Sequence, residues 1–132
     1  MVFYEALFEL SNEDRHRILL QLVDKPMNVT QIAKTLGLSL TETSRHISRL
    51  VEVGMAGKDA EGLYHMRPFG TLFLSQIQGA EFITDHRDYF NNHTLANFPP
   101  ELVLRLGELR GSTYVSDVMR VFFKVNRLMA EA

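Results

Sequence analysis

The sequence predicts a mainly α fold carrying one small β-hairpin, and three observations predict it. Residues 28–53 read as two short amphipathic helices separated by Gly37. Residues 55–67 read as a charged two-strand ribbon turning at Glu61-Gly62, and elsewhere apolar residues recur at helical spacing. Helix, tight turn, helix and hairpin, in that order, are the layout of a winged helix-turn-helix, here with additional C-terminal helices.

Each element has its own local signals. A first helix is expected over about residues 2–10. Ser11 or Asn12 then caps a second, NEDRHRILLQLVD, whose acidic first turn suits the positive end of the helix dipole. Ile18, Leu19, Leu22 and Val23 form its apolar stripe, and Pro26 stops it. Thr30 is expected to cap the third helix, in which Ile32, Ala33 and Leu36 face inward; Ala33 is small where the two helices of the motif must approach. Gly37 supplies a positive φ, Leu38 plugs the turn, and Ser39 or Thr41 caps the fourth helix. Ile47, Leu50 and Val51 form the buried seam of that helix, with Leu40 and Thr43 at its near end. Thr41, Glu42, Ser44, Arg45, Ser48 and Arg49 are left facing outward, and Gly54 ends the helix.

Beyond Pro68 the pattern is helical again. Thr71 to about Asn92 forms one helix with Gly79 as a candidate break. HTLANFPPE is a turn in which Pro99 or Pro100 suits a first helical position, and a short helix follows to about Leu109. A last helix runs from Thr113 to the end. Its apolar residues, from Tyr114, Val115 and Val118 through Phe122 and Phe123 to Leu128 and Met129, cover most of its circumference. A helix apolar nearly all round demands burial on several sides. The expectation is that it pairs with a second subunit or that the chain is the front part of a longer protein.

Composition bounds the function. The 132 residues suffice for one domain with a substantial core and not for two of full size. Cysteine is absent, which excludes disulfides, thiolate metal ligands and cysteine nucleophiles, and suits a reducing cytoplasm. No apolar run reaches the length of a membrane span, and MVFYEALFELSNEDR lacks the parts of a signal peptide. A cytoplasmic protein without a membrane partner is expected. Net charge is −2, but the charge is uneven. Residues 1–24 hold five acids against Arg15 and Arg17, and residues 69–132 hold seven acids against six bases. Only residues 25–68 are positive, at +2. That is the segment with the helix-turn-helix pattern, and basic charge is the electrostatic footprint of a nucleic-acid binder.

A helix entering the major groove needs small polar residues near its N-terminus and arginines further along, for guanine edges or phosphates. Ser39, Thr41, Ser44, Arg45, Ser48 and Arg49 meet that need. Arg45 is the first choice for base readout, and Arg49, a turn further on, is expected to reach a base or the backbone. Glu42 can accept from a cytosine amine or repel the duplex, and the sequence leaves both open. His46 reads as a packing residue or a phosphate contact. Thr30 and Gln31 start the preceding helix, whose amide end can hold a phosphate. Lys58, His65 and Arg67 populate the ribbon, where phosphate or minor-groove contact suits them.

Other chemistries find little support. There is no glycine-rich phosphate loop, nucleophile elbow or zinc-protease motif, so neither an enzyme nor a cofactor is expected. His86 and His93 stand seven residues apart in HRDYFNNH, too far to chelate one ion from a single helix, and no metal site is expected within one chain. Phe73, Phe82, Tyr89, Phe90, Phe122 and Phe123 can line a sensor pocket or simply form core.

LGLSLTETSRHISRLVEVGMAGKDAEGLYHMRPFG resembles winged-helix regulators of the arsenic-repressor type. It is more similar still to an archaeal branch related to the methanogenesis regulator. TETSRHISRL, the wing entry around GMAGKD and the wing exit YHMRPFG carry the likeness, and EFITDHRDYFNNHTLANFPPELVLRLGEL resembles that branch's linker. The resemblance implies sequence-specific binding of double-stranded DNA by a cytoplasmic homodimer, with recognition positions at Ser39, Thr41, Glu42, Ser44, Arg45, Ser48 and Arg49. It implies a division into a winged-helix DNA-binding domain at residues 1–68 and a helical linker or dimerisation region at residues 69–132, pairing through the N- and C-terminal helices. The cysteine metal motif of metal-responsive relatives and the C-terminal sensor domain of the archaeal branch are both missing. The alternative is a winged helix used as a protein-interaction module. The effector, if there is one, is not legible.

Overall fold

A computed structural model of the chain describes residues 2–96 and 98–109, so the helix expected from Thr113 lies outside the described residues. In order come α1 (Phe3–Leu10), α2 (Glu13–Asp24), α3 (Val29–Leu36), α4 (Leu40–Glu52), β1 (Ala56–Lys58), β2 (Tyr64–Met66), α5 (Pro68–Asp85), α6 (Arg87–Asn91) and α7 (Pro100–Leu104). A 3-10 turn, Leu106–Leu109, follows. The fold is the expected winged helix-turn-helix, mainly α with one antiparallel hairpin. The chain divides into two compact units, Met1–Leu74 and Ser75–Ala132.

In the first unit Ile18, Leu19, Leu22, Ile32, Ala33, Ile47, Leu50 and Met55 are buried together with Ala6 and Leu10 of α1. Local chemistry sets the boundaries. The Asn12 side chain accepts from the Arg15 amide at 3.0 Å and starts α2. Asn28, not Thr30, caps α3. Its Oδ1 accepts the Gln31 amide at 2.8 Å while Gln31 Oε1 accepts the Asn28 amide at 2.9 Å, a reciprocal capping box. Thr30 is therefore the second residue inside the helix. Gly37, at φ 71°, takes the left-handed turn between α3 and α4, and the Leu38 amide closes onto the Ala33 carbonyl at 3.0 Å. Two expected core positions differ. Leu40 is 54% exposed and Val23 57%. Side chains tilt toward a helix's N-terminus, so Leu40, the first residue of α4, points past the end of its own helix. Val23 lies on the flank of the Ile18-Leu19-Leu22 stripe.

The hairpin pairs Ala56 with Met66, Gly57 with His65 and Lys58 with Tyr64. Its turn is held by Asp59, whose Oδ1 accepts the Glu61 and Leu63 amides at 3.0 and 2.9 Å, with Gly62 at φ 82°. A third backbone segment joins it: Met27 and Tyr64 exchange both amide hydrogen bonds, at 3.0 and 2.8 Å. This bridge ties the wing to the link between α2 and α3. At the start of α5, Gly70 is packed so closely on the Met55 carbonyl that a Cβ has no room.

In the second unit, α5 runs without interruption through Gly79, and the break comes at His86, whose amide is shared between the Phe82 and Ile83 carbonyls at 3.2 Å each. Packing requires the glycine at Gly107, since a Cβ on Gly79 itself would make only an ordinary contact, 3.7 Å from the Gly107 amide nitrogen. A Cβ on Gly107 would meet the Gly79 amide nitrogen at 3.1 Å, so the 3-10 turn can lie against the helix only with little side chain there. Pro99 is the N-cap and Pro100 the first residue of α7. Phe82, Leu102 and Leu106 are buried, and Tyr89, Phe90 and Phe98 pack on them. Phe82 is thus core, whereas Phe90 joins Ile83, Leu95, Phe98, Val103 and Leu104 in lining an open apolar cleft of about 580 Å³. Among the described residues no helix is long and apolar enough to cross a membrane, and no group of three metal-ligating side chains converges.

Candidate nucleic-acid interface

Helix α4 has two sides. Thr43, His46, Ile47 and Leu50 are buried, and Thr43 is further fixed by donating its hydroxyl to the Ser39 carbonyl at 2.8 Å. Ser39 starts the helix, its Oγ accepting the Glu42 amide at 3.1 Å. Thr41, Ser44, Arg45 and Ser48 are all exposed, and their spacing of three, four and seven residues makes one continuous stripe. Glu42 flanks it. Three of the four are small and polar, so this face lets another backbone or a groove wall come close. Among the described residues no hydrogen bond or ion pair holds the Arg45 side chain.

Arg49 differs. Its Nε and Nη2 donate to Glu9 Oε2 and Oε1 at 2.9 and 3.0 Å, a two-pronged pair reaching from α4 to α1. Glu9 Oε2 also lies 3.2 Å from the Nε of buried Arg15. Arg15 in turn donates Nε to the Glu9 carbonyl at 2.6 Å and Nη2 to the Phe8 carbonyl at 3.4 Å, which also accepts from the Ser11 amide and hydroxyl at the end of α1. The guanidinium carbons of Arg15 and Arg49 stand 5.8 and 5.5 Å from the centre of the Phe8 ring. The hydrogen bond from Arg49 holds the Glu9 carboxyl below its ordinary range, against an opposing push from burial, and the Arg15 charge adds to the lowering.

His46 belongs to the same network and not to the exposed stripe, so of its two expected roles, packing residue or phosphate contact, it takes the packing one. It is only 6% exposed, with Nδ1 3.3 Å from Arg15 Nη1. A guanidinium can only donate, so Nδ1 is the acceptor and the ring proton sits on Nε2, which faces Asp14 Oδ2 at 3.9 Å. Burial, then the positive charges of Arg15 and Arg45, lower the His46 pKa and keep the ring neutral.

The other expected positions fall into separate groups. Thr30 and Gln31 are exposed at the start of α3, where the Gln31 amide is already taken by Asn28. On the wing, side chains alternate between faces. His65 and Arg67 share the face over Gly57, whose missing Cβ leaves room 3.0 Å from His65 Nε2 and 3.4 Å from Arg67 Cδ. Lys58 lies on the other face, its Nζ 5.7 Å from the Tyr64 ring centre. The hairpin therefore does not unite its three basic groups.

Residues 10–56 match a family model described as a helix-turn-helix domain. The match takes in all of α2, α3 and α4 and reaches the first residue of β1. No curated protein sequence matches the chain. Among solved structures it is similar to the adhesin competence repressor AdcR of Streptococcus pyogenes, at 20% identity and a TM-score of 0.44 over 92% of this chain and 81% of that one. It is also similar to IdeR of T. acidophilum, at 16% identity and a TM-score of 0.45 over 87% of this chain, which spans 54% of the IdeR chain. Both likenesses are loose, and the site rests on the chain's own geometry.

The network around Arg15 escaped the reading of the sequence, yet one signal for it was present. Arg15 stands three, four and seven residues before Ile18, Leu19 and Leu22, so helical spacing alone puts it on the apolar stripe. A charge on that stripe needs a buried partner.

Proposed function

We infer that the chain is a transcription regulator that binds double-stranded DNA sequence-specifically. In this reading α4 lies in the major groove, and the wing at residues 55–67 lies on the backbone or in the minor groove. The observation that carries it is the exposed stripe Thr41, Ser44, Arg45 and Ser48 on the second helix of the helix-turn-helix, backed by the buried Thr43, His46, Ile47 and Leu50. Small residues admit the helix to the groove, and an unpaired arginine at the centre of the stripe can reach a guanine edge with two hydrogen bonds. Ser39 and Glu42 flank the reading surface. The start of α3, with Thr30 and Gln31, suits a phosphate, as do Lys58, His65 and Arg67 on the wing.

A homodimer on a two-fold symmetric site is part of the proposal, as is the kinship with the arsenic-repressor type and its archaeal branch. What supports pairing is α1, whose Phe3, Tyr4 and Phe8 are 62%, 77% and 58% exposed. A ring chain from Tyr4 through Phe3 and Phe73 to Phe69 extends that apolar surface. Aromatic groups exposed in such density mark an interaction surface.

The test is selection of bound duplexes from a random library, followed by affinity measurements on the enriched and random sequences at several salt concentrations. A palindromic consensus whose affinity falls steeply with salt is expected. Arg45→Ala should reduce discrimination, while Lys58→Ala should weaken all duplexes alike. Equal affinity for enriched and random duplex overturns specific recognition. Absence of DNA binding at low salt, together with a protein partner held through residues 71–132, points to the interaction-module reading.

A further inference from the structure

Arg49 stands one turn beyond Arg45 on the recognition helix, yet its guanidinium is already occupied. The two Glu9 carboxylate oxygens meet its Nε and Nη2 at 2.9 and 3.0 Å, the fork geometry with which an arginine also takes two oxygens of a phosphate. The occupant comes from α1, forty positions away in sequence. The Arg49 side chain is nonetheless 42% exposed, and among the described residues only the Glu9 carboxylate accepts from its guanidinium. Arg15 lies 3.2 Å from the same carboxylate, while Glu52 brings a second negative charge to bear on Arg49.

We propose that Glu9 is an intramolecular competitor of DNA for the recognition helix: its carboxylate occupies Arg49 as a phosphate would, so α1 sets how much positive charge α4 presents to a duplex. The proposal rests on the DNA-binding reading and adds to it a residue outside the helix-turn-helix. Glu9 touches no DNA. It acts through Arg49, withdrawing one cation from the non-specific, phosphate-dependent part of binding and leaving base reading to Arg45. Any event that draws α1 away from α4 releases that cation.

The experiment is a double-mutant cycle with the full chain and a labelled random-sequence duplex, read as the slope of log affinity against log salt between about 50 and 200 mM. Each phosphate contact adds about 0.9 to that slope. Glu9→Gln is expected to steepen the slope by about 0.9, which is a roughly threefold larger loss of affinity across that salt range. Arg49→Ala alone should leave the slope of the wild-type chain unchanged, and in the Glu9→Gln background it should remove the increase. A mere change of net charge would instead persist in the Arg49→Ala background, and that outcome overturns the proposal. So does a slope that Arg49→Ala lowers in the wild-type chain. Should Glu9→Gln fail to fold by circular dichroism, the Arg49→Ala comparison with wild type decides by itself. Binding by wild type with an unaltered Glu9→Gln slope overturns the competitor and leaves the DNA reading standing. Binding by neither overturns both, and binding by Glu9→Gln alone supports the competitor in its strongest form.

Discussion

Arg45 and Arg49 lie one turn apart on α4, and their surroundings have little in common. Arg45 projects from a stripe of small hydroxyl residues with no intramolecular partner among the described residues. Arg49 is gripped by Glu9, rests beside the Phe8 ring and belongs to a network that runs through Arg15 to buried His46. A scan of the helix's own sequence treats the two alike, because both fall outside the Ile47-Leu50 seam. The difference comes from α1. What a recognition helix offers to a ligand is set by the elements that pack on it as well as by its own pattern, and here the first turn and middle are free while the far end is tied.

If the helix has a structural side and a ligand side, the cost of truncation should sort by side. The largest effect is expected at the seam. Ile47 is wholly buried, and Ile47→Ala should cost about 2–5 kcal/mol of stability through lost burial and the cavity left behind. Ser48→Ala, on the opposite face, should stay within about 0.5 kcal/mol. Urea denaturation of both variants checks this, and equal losses break the two-sided picture. Next comes the support behind the wing. Gly70→Ala has to push its methyl group into the Met55 carbonyl, and should lower stability by about 1–3 kcal/mol without touching any proposed contact residue. An unfolding midpoint equal to that of wild type would show that α5 does not brace the hairpin.

Arg45→Ala sharpens the comparison in the other direction. Its thermal midpoint should barely move, since no packing is lost. Its discrimination between an enriched site and a random duplex should fall by about 1–3 kcal/mol, the worth of a two-pronged base contact. A variant that loses stability but keeps discrimination would place Arg45 on the structural side, with Arg49.

How much of this was legible in the sequence follows from the range of the interactions involved. Caps, turns and seams are local, and they were readable: the Gly37 turn, the Ser39 cap, the inward Ile47 and Leu50, and the hairpin turn at Glu61-Gly62. Where two local signals competed, the reading erred. Thr30 was a plausible cap, but Asn28 and Gln31 hold the Asn-x-x-Gln spacing that satisfies two amides instead of one. Gly79 looked like a helix break because glycine weakens helices, yet α5 runs through it and the break falls at His86. The Met27–Tyr64 bridge and the Glu9–Arg49 pair join residues 37 and 40 positions apart, and no periodicity within one element encodes them. Arg15 is the intermediate case, visible as a charge on an apolar stripe but with partners that only the fold reveals.

The smallest expected effect is on the dependence of stability on pH, and it probes the tied end of α4. The folded pKa of His46 lies below its ordinary 6.5, because burial and then Arg15 and Arg45 disfavour the charged ring. Between those two values the unfolded chain binds more protons than the native one, so stability rises with pH across that window. The contribution is therefore complete above about pH 6.5 and is lost as pH falls toward the folded value. Glu9 has the same sign one step lower. Its folded pKa is below 4.5, so the stability it lends is complete above that value and disappears as pH falls through the folded one. Denaturation midpoints should thus decline first below pH 6.5 and again below 4.5. One proton limits each slope to about 1.4 kcal/mol per pH unit. Replacing His46 by Gln, which keeps an acceptor for Arg15 but cannot titrate, should flatten the upper decline and leave the lower one intact. Arg49→Ala should do the reverse, since it removes the hydrogen bond that does most to hold Glu9 ionised. If both variants flatten the same limb, His46 and Glu9 do not titrate as separate parts of the network.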